Sequence, residues 1–139
     1  MRLGMFIPLS LATVVTLPVG SAAEPERSPI TIHVLDTSRG KPAAGLAVVL
    51  EQANGNDWRE LAKGKTDADG RIDALLPKGK PVAAGTYRIT FDSGAYFAES
   101  KTKTFYPRIP VIFEVADPKE HYHIPLLLSP FGYSTYRGS

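Results

Sequence analysis

Apolar and polar residues alternate along several stretches of the chain, a pattern typical of strands with one buried face. In "PITIHVLD", the isoleucines and Val34 share one face, and Thr31 and His33 share the other. The same period of two residues recurs in "TYRITFDS", and clusters of Gly, Pro, Asn and Asp separate such stretches. These clusters are typical of the turns between short strands.

The spacing of these stretches indicates an all-β protein. About eight short strands follow one another at roughly 8–12-residue intervals, which favours a sandwich or a barrel. "GAYFAESK" is the one stretch that suits a short helix. A parallel sheet would need long apolar helices to cover it, and the chain offers none.

The beginning of the chain has the order of a secretory signal. Arg2 supplies a positive charge, an uncharged apolar stretch follows, and small residues suit cleavage after Ala23, with Ala22 as a near alternative. Prolines interrupt the apolar stretch, which is also too short for a membrane span. We therefore expect a signal peptide over residues 1–23, one domain over residues 24–139, and a periplasmic protein.

Charge and cysteine content narrow the expected partners. The formal net charge is +2, from 16 Lys and Arg against 14 Asp and Glu. Such a balance lacks the basic surface that nucleic acid or acidic lipid requires, so we expect neither a nucleic-acid nor a membrane partner. The chain has no cysteine. Its stability must therefore come from the core, with help from subunit contacts.

The three histidines are the candidate reactive groups, since histidine gains and loses a proton near neutral pH. Strand phase turns His33, His121 and His123 away from the core, where a histidine is often no more than part of a solvated face. Two chemical sites are compatible with this face. One is a zinc site with three histidine ligands and a water. The other is metal-free hydrolysis, in which an imidazole activates water and a cation such as Arg71 stabilises the oxyanion.

The end of the chain adds a more specific motif, Tyr-Arg-Gly-Ser at residues 136–139. Together with His33, Arg71 and His123, this ending resembles the 5-hydroxyisourate hydrolases, also called transthyretin-like proteins. The resemblance extends over nearly all of the chain that follows the signal, in the stretches "ITIHVLDTSRGKPAAGLAVVLE", "TDADGRI", "FYPRIPVIFEV" and "HYHIPLLLSPFGYSTYRGS".

The resemblance implies a fold, an assembly and a reaction. The fold is a transthyretin-like, eight-stranded β-sandwich of two four-stranded sheets with one short helix. The assembly is a homotetramer whose active sites lie where dimers meet. The reaction is the ring-opening hydrolysis of 5-hydroxyisourate to 2-oxo-4-hydroxy-4-carboxy-5-ureidoimidazoline in urate degradation, with no metal and no cofactor.

The resemblance also implies roles for individual residues. One of His33 and His123 activates water, with His33 favoured, and the other orients the ring or passes on a proton. Arg71 binds the carbonyl edge of the substrate and stabilises negative charge. Tyr136 contacts the substrate, and Ser139 completes the catalytic pocket with its hydroxyl or the terminal carboxylate. It implies no role for His121.

Two points stay open at the level of sequence. Tyr136 and Ser139 have opposite strand phase, so they reach one pocket only if the chain kinks, for instance at Gly138.

The alternative function is a transthyretin-type carrier that holds a small ligand in the tetramer channel without catalysis. Such a carrier shares the fold but lacks the histidine–arginine set and the Tyr-Arg-Gly-Ser ending.

Overall fold

The structure, a computed structural model, describes residues 26–139. The expected signal peptide over residues 1–23 lies outside the described residues. No helix in the described part of the chain is long and apolar enough to cross a membrane.

Nine strands and one helix form the described part of the chain. In chain order they are β1 Ile30–Asp36, β2 Lys41–Pro42, β3 Ala47–Asn54, β4 Asp57–Lys65, β5 Arg71–Ile72, β6 Gly85–Phe91, α1 Ser93–Glu99, β7 Ile109–Val115, β8 Tyr122–Ser129 and β9 Gly132–Thr135. One sheet has the order β2-β1-β8-β9, with β5 also paired to β1, and the other has the order β4-β3-β6-β7. The expected two-sheet, all-β architecture is confirmed.

The core lies between the two sheets and contains the residues that the alternation predicts. Every second residue of β1 is buried, and the residues between them are only half-buried. Strand β6 shows the same alternation over its last residues, and β8 adds four more buried apolar side chains. Burial of these side chains stabilises the sandwich and leaves the intervening residues on its outer faces.

The described residues form nine strands rather than about eight, and the additional one is the two-residue strand β2, which pairs with β1. Strand β5 begins the stretch "RIDALL" and ends at Ile72. Leu75 and Leu76 are both buried, although consecutive residues of a strand point to opposite faces. The chain therefore leaves the ladder after Ile72 so that both leucines can enter the core.

The turn before β5 determines where Arg71 lies. The carboxylate of Asp67 accepts hydrogen bonds from the backbone N–H groups of Asp69 and Arg71, each 2.9 Å long. Gly70 has a φ of +71°, and a Cβ at this position would overlap the carbonyl oxygen of Val34. Only glycine allows this close approach, which brings β5 alongside β1.

Helix α1 occupies the predicted stretch. The side chain of Asp92 caps it by accepting a hydrogen bond of 3.1 Å from the backbone N–H of Ala95. Phe97 enters the core from this helix.

Two of the strand prolines, Pro110 and Pro125, lie in different environments. Pro110 lies in β7, the outermost strand of its sheet, which has a neighbouring strand on one side only. Pro125 lies in β8, between β1 and β9, and the β8–β9 ladder is interrupted next to it. Pairing resumes as a single bridge between His123 and Gly138. This interruption sends the end of the chain across His123.

Candidate active site

His33 and Arg71 are direct neighbours across the short β1–β5 ladder. Directly opposed residues of an antiparallel pair place their side chains on the same face of the sheet. That face is the outer one, because the residues that alternate with His33 are buried in the core. Both side chains are half-buried.

His123 reaches the same face from β8, which runs parallel to β1 with Thr31 opposite His123. The ring centroids of His33 and His123 are 6.5 Å apart, and the ring planes are inclined by 35°. The three residues predicted from the sequence therefore converge within a single chain, on the outer face of the five-stranded sheet.

A polar cavity of about 380 Å³ opens beside this group. Arg71, His123 and Ser139 border it, together with Glu26, Arg27, Ser28, Thr31, Asp73, Lys78 and His121. Both basic and acidic side chains thus surround the space. Such a lining suits a small polar molecule that both donates and accepts hydrogen bonds.

Tyr136 borders a different space, a groove of about 320 Å³ with a largely apolar wall that includes Val111 and Ile124. His123 borders both the groove and the cavity. Within the single chain, therefore, Tyr136 and Ser139 do not meet in one pocket, as their opposite strand phase indicates. Tyr136 is 59% exposed.

The last residues of the chain lie across His123 and are held there by a hydrogen bond and an ion pair. The N–H of Gly138 donates to the carbonyl oxygen of His123 at 2.9 Å. Arg137 forms an exposed ion pair of 2.6 Å with Glu120, and this carboxylate raises the pKa of Arg137. A Cβ on Gly138 would overlap Cδ2 of His123 and lie 3.1 Å from Cγ of Pro125. The absence of a side chain at residue 138 lets the chain lie directly against the imidazole.

Electrostatics favour the neutral form of His123. Burial lowers the pKa of its imidazole below the usual 6.5, and the charge of Arg71 lowers that pKa further. His33 and His121 act in the same direction, whereas Asp73 opposes them. A neutral imidazole at physiological pH has a free nitrogen lone pair that can accept a proton.

A chain of hydrogen bonds leads away from His123. Its Nδ1 lies 2.8 Å from Oγ1 of Thr31, which lies 3.1 Å from Nε2 of His121. Nδ1 of His121 donates to the carbonyl oxygen of Ser28 at 2.9 Å. Neither Thr31 nor Ser28 is predicted as a site residue by the sequence pattern. The available signal was the phase of Thr31, which shares the outer face of β1 with His33.

The zinc alternative finds little support in the arrangement of these side chains. Both ring nitrogens of His121 are engaged in hydrogen bonds, so neither is free as a ligand. Among residues 26–139, no group of three or more His, Asp or Glu side chains is arranged to hold a metal ion.

Together, the fold and this site define a two-sheet β-sandwich with a histidine–arginine site on the outer face of one sheet. Residues 30–138 match the HIUase/Transthyretin family, and the chain belongs to that family. The predicted resemblance is thereby confirmed.

Three relatives illustrate the similarity. The 5-hydroxyisourate hydrolase of Salmonella dublin is 54% identical over 110 residues, which cover 79% of this chain and 80% of the relative. The structure of Klebsiella pneumoniae 5-hydroxyisourate hydrolase has a TM-score of 0.71 at 37% identity, covering 81% of this chain and 99% of the other. The structure of transthyretin from Sparus aurata has a TM-score of 0.75 at 34% identity, covering 81% and 97%.

Proposed function

We propose that this protein hydrolyses 5-hydroxyisourate and opens its ring to 2-oxo-4-hydroxy-4-carboxy-5-ureidoimidazoline. Its relatives named for this activity support the substrate. The observation that carries the chemistry is the convergence of His33, Arg71 and His123 from three strands onto one face. A carrier needs no such convergence of two imidazoles and a guanidinium.

His123 is the better placed of the two histidines to activate water. Its lowered pKa keeps the imidazole neutral, and it borders the polar cavity. His123 takes a proton from water as the oxygen bonds to the ring-amide carbonyl carbon. The ring C–N bond then breaks, and the proton passes to the leaving nitrogen. The proposal thus assigns the base to His123, whereas the sequence analysis left both histidines open and favoured His33.

Arg71 and His33 serve the same step from the neighbouring strands. The guanidinium of Arg71 borders the cavity and stabilises the negative charge that develops on the carbonyl oxygen. His33, beside both residues, orients the ring or passes on the proton. Ser139 completes the cavity with its hydroxyl or the terminal carboxylate.

The functional unit in this proposal is a homotetramer. Strands β7 and β9 lie at the ends of the two sheet orders. Ile112 and Tyr136 are 60% and 59% exposed along the apolar groove, which is a large exposure for such side chains. Covering this groove with another subunit places Tyr136 within an intersubunit site, where it contacts the substrate.

Export to the periplasm is a further part of the proposal. It rests on the order of charged, apolar and small residues over 1–23, with cleavage after Ala23. The described domain begins its first strand at Ile30. Removing residues 1–23 therefore leaves every described strand intact.

Freshly prepared 5-hydroxyisourate tests the activity directly. Residues 24–139 are expected to accelerate the loss of its ultraviolet absorbance in proportion to protein concentration, and to keep doing so after treatment with a chelator. Activity that disappears on chelation and returns with zinc would contradict the metal-free mechanism. A protein that leaves the spontaneous decay unchanged would favour the carrier.

The pH dependence of kcat/KM tests the role of His123. Neutral His123 accepts the proton, and its pKa is lowered, so the midpoint of the acid limb of kcat/KM is expected to lie below the usual histidine value of 6.5. Arg71→Ala removes a positive charge that lowers this pKa, so the acid limb should move to higher pH. Profiles between about pH 5 and 8 measure both effects.

The matched control for this shift is Arg59→Ala, which removes an exposed arginine from the other sheet. Its acid limb should coincide with that of the wild type. An acid limb that stays in place in Arg71→Ala would assign the titration to a group other than His123.

A further inference from the structure

The last group in the hydrogen-bond chain that leads away from His123 can only accept a hydrogen bond. The carbonyl oxygen of Ser28 can accept a hydrogen bond but cannot donate one. Nδ1 of His121, 2.9 Å away, must therefore bear a proton. Ser28 itself is 1% exposed, and its hydroxyl donates to the carbonyl oxygens of Ile30 and Leu76. The acceptor at the end of the chain is thus held in place.

This fixed end determines the direction of each bond before it. In neutral His121, a proton on Nδ1 leaves Nε2 as an acceptor, so the hydroxyl of Thr31 donates to it across 3.1 Å. With its only proton committed, Oγ1 of Thr31 accepts from Nδ1 of His123 across 2.8 Å. Neutral His123 then carries its proton on Nδ1 and its lone pair on Nε2.

We propose that Thr31 and His121 are positioning residues that fix the tautomer and ring orientation of His123, so that Nε2 acts as the base. This inference rests on the proposed function. It gives a role to His121, for which the family resemblance implies none. It also accounts for a threonine opposite His123, where a β-branched apolar residue would suit the strand equally well.

The matched pair Thr31→Val and Thr31→Ser tests the proposal. Valine keeps the shape of threonine but has no hydroxyl, whereas serine keeps the hydroxyl. In ¹⁵N-histidine-labelled protein, long-range ¹H–¹⁵N spectra report which ring nitrogen of His123 is protonated. The wild type and Thr31→Ser should show the proton on Nδ1, and Thr31→Val should show a population with the proton on Nε2.

In kinetic measurements, we expect kcat of Thr31→Val to fall while KM changes little. Loss of the hydrogen bond to Nδ1 should lower kcat of Thr31→Val roughly tenfold, and Thr31→Ser should recover most of it. His121→Ala should act in the same direction, because it frees the hydroxyl of Thr31 to donate to His123. It also serves as the second variant if Thr31→Val does not fold.

Several outcomes would overturn the inference. One is a wild-type His123 with its proton on Nε2, and another is equal kcat in the valine and serine variants. The tautomer is read without substrate. A wild type that is inactive on 5-hydroxyisourate but shows the expected tautomers would therefore refute the proposed function. It would still establish the direction of the hydrogen bonds in the chain.

Discussion

Replacing His123 with alanine is expected to lower kcat/KM for 5-hydroxyisourate by about 10²–10⁴-fold, the usual contribution of a positioned acid–base group. The imidazole borders the cavity and is held neutral by burial and by Arg71. Its removal leaves the attacking water without the base that the proposed mechanism requires. The initial rate of absorbance loss, measured over a range of substrate concentrations, gives the effect.

Two controls separate a lost base from a damaged fold. Ser134→Ala changes an exposed residue of the adjacent strand β9 and should retain wild-type activity. Added imidazole should partly restore the rate of His123→Ala, because it can enter the space left by the ring. A His123→Ala protein with a native thermal transition and undiminished kcat/KM would refute the assignment of His123 as the base.

Strand phase and turn chemistry are local properties, and they explain what the sequence could predict. The period of two residues around Ile32 is enough to turn His33 outward, and the half-burial of that residue confirms it. The sequence Asp-Gly at residues 69–70 marks a turn because of the conformational freedom of glycine, and Gly70 does have a positive φ. The family resemblance adds that His33, Arg71 and His123 belong to one site.

The hydrogen-bond chain through Thr31 depends on the long-range register between two strands, so local strand patterns cannot predict it. Thr31 meets His123 only because β1 and β8 pair in parallel with a particular offset. A shift of one residue would turn a core side chain toward His123 instead. The path of the last residues across His123 depends likewise on long-range pairing, because the β8–β9 ladder stops beside Pro125 and resumes only at the bridge between His123 and Gly138.

Gly138→Ala is expected to lower kcat/KM by roughly 100-fold, because a misplacement of about 1 Å at a catalytic group can have an effect of that size. The new methyl group would overlap the ring of His123 and press on Pro125. Either the imidazole rotates away from Thr31, or the end of the chain detaches and removes Ser139 from the cavity. Both outcomes disturb the base, and neither disturbs the core.

The fold should therefore survive this substitution. Gly138 is joined to the sandwich by one backbone bond to His123, so its release should shift the thermal midpoint far less than it changes the rate. Gly132→Ala is the matched control, since a Cβ there would lie 3.7 Å from Oγ of Ser129, an ordinary contact. Equal activity of the two alanine variants would show that the terminal residues do not shape the catalytic imidazole. A loss confined to Gly138→Ala, with the ring of His123 shifted in its NMR spectrum, would tie the closing Tyr-Arg-Gly-Ser motif to placement of the base.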